Sequence, residues 1–183
     1  MIRNPLLSLL ATYRDRFPDE RDRVDQFADF VRRNPDCFER SLKEGHITGS
    51  GWIVDASGTR TLLTHHRKLD LWLQPGGHAD GENDVLSVAM KECLEETALS
   101  GLEPVSEEIF DLDIHGIPAR KTEPAHFHYD VRFLFQNRGD EDYVVTEESH
   151  DLAWVEMDRL EDYTTEWSMR RMRDKVEGWL ATL

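Results

Sequence analysis

The hydrophobic residues of this chain change their spacing at His46, and this change restricts the architectures that are open to the sequence. In segments 6–17 and 19–34 the apolar residues recur every three or four positions, which predicts helices. From His46 onward the side chains alternate, and segments 46–55 and 59–66 flank a short Ala-Ser-Gly turn signal, which predicts a β-hairpin. The sequence therefore predicts an N-terminal helical segment followed by a region that contains a sheet.

The rest of the chain combines strand and helix patterns. A helix is predicted at about 84–98, and helical spacing returns at 165–183. Three further strands are predicted at 107–117, 125–136 and 151–157. We therefore expect one α/β (α+β) domain over residues 1–183, with a helical segment at 1–45 and a core with its C-terminal helix at 46–183. The N-terminal segment could cover the sheet, form a dimer surface or border a substrate pocket.

Charge and cysteine content exclude several function classes. The formal net charge is −15 at pH 7, whereas nucleic-acid binding requires a basic surface that neutralises phosphates. No apolar run approaches the length of a membrane span, and charged residues enter the N-terminus too early for a signal peptide. The two cysteines, Cys37 and Cys93, form no disulfide framework, which favours a reducing compartment. We expect a cytoplasmic protein that binds neither nucleic acid nor membranes.

Three glutamates of the predicted central helix lie close together. Glu92, Glu95 and Glu96 are three and four positions apart, so they share one side of the helix. Another side can face a sheet through Leu86, Ala89, Met90, Cys93 and Thr97. Like charges this close repel one another, whereas oxygen ligands on a rigid helix suit a hard divalent cation such as Mg2+ or Mn2+. Gly76 and Gly77 precede the helix, and we expect a tight turn there beside a phosphate-rich ligand.

The segment from Gly77 to Leu99 resembles the Nudix box, G-x5-E-x7-R-E-U-x-E-E-x-G-U, in which U is a bulky aliphatic residue. Gly77 stands at the first glycine, and KECLEETAL stands at R-E-U-x-E-E-x-G-U. Four positions depart from the pattern, namely Asn83, Lys91, Cys93 and Ala98. Glu82 or Asp80 could replace the glutamate that is absent at position 83 through a small shift of the loop. The change at Ala98 matters only if its φ is positive.

This resemblance implies a Nudix hydrolase, with a mixed β-sheet sandwiched between helices. The three glutamates of the box are implied as catalytic residues. The implied ligands for Mg2+ or Mn2+ are Glu92, Glu95, Glu96, Gly76, Gly77 and Glu148. Among these, a glycine carbonyl would complete the metal shell, and the acid outside the box could be Glu147 instead of Glu148. The implied reaction is attack of metal-activated water on phosphorus in a nucleoside diphosphate-linked or related small molecule.

Histidine and arginine residues around the box are candidate substrate ligands. His65 either contacts a phosphate or base or ends a polar hairpin, and His78 either reaches the metal region or caps its loop. In two later strands, polar residues that include His115, His128 and Arg132 alternate with apolar ones, so each polar set shares one face of its strand. If that face lines the pocket, these residues select the substrate. If it faces water, they are ordinary surface polarity.

Two other functions remain open at the level of the sequence. A degenerate Nudix domain would bind a nucleotide-like ligand or a partner without cleaving it, and the changes at Asn83, Lys91 and Ala98 motivate this alternative. An isoprenoid diphosphate isomerase would need a cysteine and an acid beside the substrate. Cys37 and Cys93 both lie in predicted helical segments, and Cys93 is expected to face the core. A homodimer is compatible with any of these functions.

Overall fold

A computed structural model describes residues 2–120 and 124–181 and arranges them in four α-helices and eight strands. The helices are α1 (Asn4–Arg16), α2 (Arg21–Arg33), α3 (Val85–Thr97) and α4 (Trp167–Leu180), with short 3-10 helices at Pro18–Glu20 and Met157–Asp162. The strands are β1 (Gly45–Val54), β2 (Arg60–His66), β3 (Leu71–Leu73), β4 (Gly76–His78), β5 (Leu102–Pro104), β6 (Asp111–Ile117), β7 (His126–Asn137) and β8 (Ser149–Glu156). Within these residues, every helix is too short or too polar to cross a membrane.

All eight strands belong to one mixed sheet. Its centre is the parallel pair β1 and β7, which runs from Gly45 opposite Phe127 to Val54 opposite Gln136. The remaining pairs are antiparallel: β2 and β4 with β1, β5 and β6 with β7, and β3 and β8 with β2. The predicted hairpin of β1 and β2 is present, and Gly58 in its turn has a φ of 73°, a conformation that glycine adopts without strain.

Helices cover both faces of this sheet. One hydrophobic cluster joins α1, α2 and α3 to sheet residues such as Ile47 and Phe133. A second cluster joins α4 to the opposite face, which carries Trp52 and Leu134. Phe133 and Leu134 belong to different clusters because successive side chains of a strand point to opposite faces. The predicted fold, a mixed sheet between helices with an added N-terminal helical segment and a C-terminal helix, is confirmed.

The N-terminal helices cover the sheet, which was one of the three roles open to them. The ring of Phe30 in α2 stacks on Tyr129 of β7 with centroids 3.7 Å apart, and Phe27 meets the same tyrosine edge-on at 5.3 Å. Both phenylalanines are fully buried. Because burial of one such side chain stabilises a fold by about 1.5–3 kcal/mol, α2 is part of the main core.

A buried charge cluster ties α4 to the sheet. The Asp111 carboxylate of β6 is fully buried and accepts hydrogen bonds from Arg171 at 2.7 and 2.9 Å and from Lys175 at 2.6 Å. Arg132 of β7 lies 3.3 Å from the same carboxylate and donates to Asp130 at 2.7 Å. Burial raises the pKa of Asp111, but the surrounding cations outweigh it and hold that pKa below its usual value. Asp111 is therefore ionised, and it anchors α4.

The glycine pair at 76–77 belongs to strand β4, so the prediction of a tight turn there is wrong. Gly76 pairs with Ser50 of β1, and His78 pairs with Thr48. A side chain at position 76 would overlap Ser50, so this position needs glycine for close packing rather than for a turn. Adjacent glycines are typical of turns, and only the neighbouring strand reveals why they are present here. The three-residue strands β3, β4 and β5 were all missed by the sequence patterns.

Candidate active site

Helix α3 is held in place by its two ends. The Asp84 side chain caps the N-terminus, because its carboxylate accepts from the Ser87 amide at 3.2 Å and from the Ser87 hydroxyl at 2.8 Å. At the C-terminus Ala98 has a φ of 58°, the left-handed conformation that glycine usually provides at this position. The exchange of glycine for alanine in the box therefore falls on a residue whose φ is positive.

The buried face of α3 differs from the one predicted. The helix buries Val85, Val88, Ala89, Cys93, Glu96 and Thr97. Leu86 and Met90, which were expected to face the sheet, are only partly buried. The difference turns the helix so that Glu96 points toward the sheet rather than to a separate acidic side. One of the three glutamates is consequently part of the packed interface.

The Glu96 carboxylate lies against strand β4. Glu96 is only 7% exposed, and its Oε1 accepts a hydrogen bond from the Gly76 amide at 2.8 Å. Burial raises the pKa of Glu96 to about 7, and the charges of Glu148 and Glu92 act in the same direction. The carboxyl is thus poised between its protonated and ionised forms near neutral pH. A cation beside it would favour the ionised form.

The Glu92 carboxylate occupies the adjacent position, one helical turn before Glu96. It contacts the backbone of Gly77, where any Cβ would overlap the carboxylate. Burial raises the pKa of Glu92, while nearby Lys91 acts to lower it. Both glycines of β4 are therefore explained by close packing, since each allows the backbone to approach a neighbouring group without a side chain in between.

Glu95 lies apart from the other two glutamates. Its side chain is 60% exposed, and its Oε2 is 3.5 Å from the Lys91 ammonium, which is also 3.5 Å from Glu92. Residues four apart on a helix are neighbours, so this lysine stands over the outer edge of the acidic cluster. The structure therefore brings Glu92 and Glu96 together at β4 and leaves Glu95 at the solvent side.

Glu148 comes from the loop before β8 and completes the acidic cluster. The Glu148 carbonyl accepts from the Arg67 amide at 2.9 Å, and the Arg67 guanidinium donates to the carbonyl of Glu147 at 2.9 Å, so this loop is tied to the end of β2. The Glu148 charge raises the pKa of both Glu92 and Glu96. Of the two acids proposed for this loop, the structure places Glu148 within electrostatic reach of the helix glutamates.

These acids fit a hard divalent cation. Burial is the main reason that the pKa values of Glu92 and Glu96 are raised, and the charges of neighbouring glutamates act in the same direction on both. Ionised carboxylates that are buried or partly buried side by side are unfavourable unless protonation or a counter-ion neutralises them. Oxygen donors select Mg2+ or Mn2+ over softer metals. The residues present are therefore suited to hold such an ion.

Five histidines cluster on the face of β1, β4, β6 and β7 that points away from α3: His46, His78, His115, His126 and His128. His46 was missed by the sequence patterns, although it alternates with Thr48 along β1 and lies opposite His128 in the parallel register. Burial is the main reason that the pKa of His46 falls to about 4 and that of His128 to about 2. Both rings are therefore neutral at physiological pH.

His65 does not join this cluster. Its ring stacks on Trp72 of β3 at 4.9 Å, and its Nε2 lies 2.9 Å from an Asp70 carboxylate oxygen. The neighbouring His150 ring is 5.2 Å away. Of the four histidines predicted to bind substrate, three are brought together, and His65 forms a separate aromatic group with Trp72 at the β2–β3 hairpin.

Arg132 is placed inside the protein rather than at a pocket surface. It is 3% exposed, and its guanidinium is surrounded by Asp111, Asp113 and Asp130. Asp130 in turn accepts from the Thr48 hydroxyl at 2.9 Å. A phosphate could not approach this guanidinium without breaking the ion pairs that anchor α4. The placement contradicts a role for Arg132 in substrate binding, and we do not retain it among the substrate ligands.

The acids near position 83 are engaged elsewhere. Glu82 Oε1 accepts from the backbone amides of Asn83 at 2.8 Å and Asp84 at 2.9 Å. The Asp80 carboxylate is paired with Arg40. Both acids therefore have defined partners outside the cluster, so the small loop shift that would let one of them replace the missing glutamate has no support.

Comparison with known proteins identifies one domain family. The model of the NUDIX domain matches residues 46–176. No curated protein matches significantly. The fold resembles that of a C. elegans Ap4A hydrolase binary complex, with a TM-score of 0.61, 18% identity, and coverage of 75% of this chain and 98% of the other.

Two further solved structures share the fold. A NUDIX family hydrolase from Clostridium perfringens has a TM-score of 0.57 and 19% identity, over 72% of this chain and 96% of the other. The E. coli dihydroneopterin triphosphate pyrophosphohydrolase has a TM-score of 0.53 and 16% identity, over 75% and 96% of the two chains. At these identities the likeness establishes the architecture alone.

Proposed function

This chain belongs to the NUDIX domain family, because the family match extends over well more than half of its length, and on that premise we propose that it hydrolyses a phosphoanhydride bond with the help of Mg2+ or Mn2+. Family membership and the hydrolases among the similar structures support a diphosphate hydrolase in general terms. The substrate we propose is a nucleoside diphosphate-linked or related small molecule.

One observation carries this proposal: two desolvated carboxylates, Glu92 and Glu96, converge on the glycine strand β4 within electrostatic reach of Glu148. In their ionised form these carboxylates are unfavourable side by side unless a cation binds them. Phosphoryl transfer requires positioning and charge neutralisation more than covalent help from the protein, so an acidic cation-binding site is the appropriate machinery. A bound divalent cation would neutralise diphosphate oxygens and acidify a water molecule.

The side chains of this protein would position the cation and accept a proton. Glu92 and Glu96 are fixed by the helix and by the close contact with β4, so their oxygens need no reorganisation when a ligand arrives. Glu96 has a pKa of about 7 without a metal, and a bound cation would lower that pKa, so the carboxylate would be ionised at neutral pH and able to accept a proton. Glu148 adds charge from a loop that Arg67 holds in place. Glu95 faces solvent and has the least direct role.

The ligands named for proteins of similar fold support a substrate that contains a phosphoanhydride. Similar structures are described as hydrolases of Ap4A and of dihydroneopterin triphosphate, and one NUDIX domain with a TM-score of 0.51 is described in complex with ADP ribose. All three ligands contain phosphoanhydride-linked phosphates. His115 of β6 lies on the polar face of the sheet, opposite His128 of β7, and we propose that it borders the non-phosphate part of the substrate.

A substrate panel tests the proposal. Purified protein with Mg2+ or Mn2+ should release inorganic phosphate, pyrophosphate or a mononucleotide from at least one dinucleoside polyphosphate, nucleoside triphosphate or nucleotide sugar. Glu96→Gln should lower kcat by about 10²-fold or more, since it removes a group that acts in the transition state. Glu95→Gln is the matched control and should retain most activity. Equal activity of the wild type and Glu96→Gln would exclude the mechanism.

A non-catalytic domain is the second candidate, and Asn83 favours it. The box expects a glutamate at that position, and the nearest acids are engaged elsewhere. In that case calorimetry would detect a nucleotide-like ligand binding to the protein, while the panel would give no products with either metal. The isomerase alternative has little support, because Cys37 and Cys93 are fully buried and burial raises the pKa of both thiols.

A further inference from the structure

We propose that His46, His78 and His128 form a second metal site, selective for a transition-metal ion such as Zn2+ and separate from the acidic cluster of α3. Each of the three offers a ring nitrogen, and these nitrogens all lie within 4.8 Å of one another. The site would hold an ion of the borderline class that prefers neutral imidazole ligands.

Strand register places the three rings side by side. His46 of β1 lies opposite His128 of β7, and His78 of β4 lies opposite Thr48, two residues along β1 from His46. All three side chains share one face of the sheet because residues two apart in a strand point the same way. The ring centroids are separated by 4.8 to 5.1 Å in each pair. Three different strands therefore contribute one ligand each, on a rigid base.

His46 is buried without a hydrogen-bond partner for its ring nitrogens. It is 3% exposed, and neither of its ring nitrogens has a hydrogen-bond partner. Buried polar atoms are almost always paired, because an unpaired one loses its hydration without compensation. The centroids of the His78, His126 and His128 rings lie 4.9, 5.0 and 4.8 Å from that of His46. Coordination of a metal would use one of the two His46 nitrogens.

His126 lies beside the three-histidine group and contacts His128. Its Nδ1 donates to the Pro124 carbonyl at 2.9 Å, so this nitrogen carries the proton and Nε2 keeps a free lone pair. That Nε2 lies 3.3 Å from the Nε2 of His128. Metal-binding histidines commonly donate the other ring nitrogen to a carbonyl or carboxylate, which fixes the tautomer. For Zn2+ at about 2.0–2.1 Å from each nitrogen, tetrahedral neighbours are about 3.4 Å apart.

The two metal sites lie on opposite faces of β4. A Cβ at Gly77 would point at Glu92 on α3, so the side chain of the next residue, His78, points away from α3. The donors also differ in kind, since one site has carboxylate oxygens and the other has imidazole nitrogens. Oxygen sites favour Mg2+ and Mn2+, whereas nitrogen sites favour Zn2+, Co2+, Ni2+ or Cu2+. The sites should therefore be loaded independently.

Co2+ titration in excess Mg2+ tests the second site. Metal-stripped protein should bind one Co2+ per chain and develop the intense visible absorption of tetrahedral Co2+, and added Zn2+ should remove that absorption. His78→Gln and His128→Gln should each weaken Co2+ binding at least ~10-fold. His150→Gln is the matched control, because His150 lies on β8 beside His65 and outside the cluster. It should bind Co2+ as the wild type does.

The variants also separate this proposal from the proposed function. Glu92→Gln/Glu96→Gln should lose phosphoanhydride hydrolysis but keep the Co2+ spectrum unchanged. Loss of that spectrum in the double variant would overturn the claim of a separate site. Equal Co2+ affinity in the wild type and His78→Gln would overturn the histidine site itself. His78 is half-buried on a short strand, so this variant decides the question even if His128→Gln does not fold.

Discussion

Replacing Glu96 with glutamine should remove a large part of the pH dependence of stability in the metal-free protein. Glutamine has the same shape and keeps an oxygen that can accept from the Gly76 amide, so the contact with β4 survives. What disappears is a buried ionisable group whose pKa is raised from 4.5 to about 7, chiefly by burial. At about 1.4 kcal/mol per pKa unit, this displacement corresponds to about 3 kcal/mol of folding free energy.

The direction of the change in stability with pH depends on whether the folded or the unfolded protein binds the Glu96 proton more tightly. Because the folded pKa of Glu96 lies above the unfolded one, the folded protein keeps this proton over a pH range in which the unfolded chain has lost it. The stabilising contribution is fully present below about pH 4.5 and is lost as pH rises through about 7. Relative to the wild type, metal-free Glu96→Gln should therefore gain about 2–3 kcal/mol between about pH 5 and about pH 8.

Urea unfolding of the two proteins in EDTA, at both ends of this pH range, measures the difference. Glu95→Gln is the control, because Glu95 is exposed and its replacement should shift stability by less than about 0.5 kcal/mol at either pH. Adding Mn2+ at high pH should restore stability to the wild type and not to Glu96→Gln, since ligand binding stabilises only the state that binds it. Parallel pH profiles for the wild type and Glu96→Gln would refute the reasoning.

Three further substitutions test other parts of the structure. Ala98→Gly should stabilise the protein by about 1 kcal/mol in urea unfolding, because Ala98 has a φ of 58°, whereas Ala181→Gly at the ordinary right-handed end of α4 should give no gain. Gly77→Ala should abolish hydrolysis and weaken Mn2+ binding by calorimetry, because the added methyl group would overlap a carboxylate of α3. Gly178→Ala, with open space around its Cβ, should leave hydrolysis unchanged and raise stability by about 0.5–1 kcal/mol. Asp111→Asn should lower the free energy of unfolding by about 1.5–3 kcal/mol, because it removes the buried charge that Arg132, Arg171 and Lys175 share, and a loss below about 0.5 kcal/mol would contradict the anchoring role of this cluster.

The polar face of the sheet combines two different uses of the same alternation. Toward one end, Asp111, Asp130 and Arg132 form ion pairs that lock α4 in place. Toward the other, His128 and its neighbours leave His46 without hydrogen-bond partners. The alternation predicted that polar side chains share a face, but it could not tell anchoring pairs from a ligand site. That distinction depends on which strands and helices lie beside each residue.

Local pattern alone determined the helices, the β1–β2 hairpin, the longer strands and the position of the acidic helix. These features depend on the period of the hydrophobic residues and on turn and capping residues, which act over a few positions of the chain. Glu92, Glu95 and Glu96 could be assigned to one helix for this reason. The family resemblance rested on the same short segment.

Only the tertiary structure decided which of these residues act together. The rotation of α3 against β4 turns Glu96 inward and leaves Glu95 in solvent, and the loop before β8 brings Glu148 to them from more than fifty positions away. The parallel register of β1 and β7 sets His46 beside His128. Contacts of this kind are fixed by packing and by pairing between distant segments, and a sequence pattern with a period of two or of 3.6 residues contains no information about either.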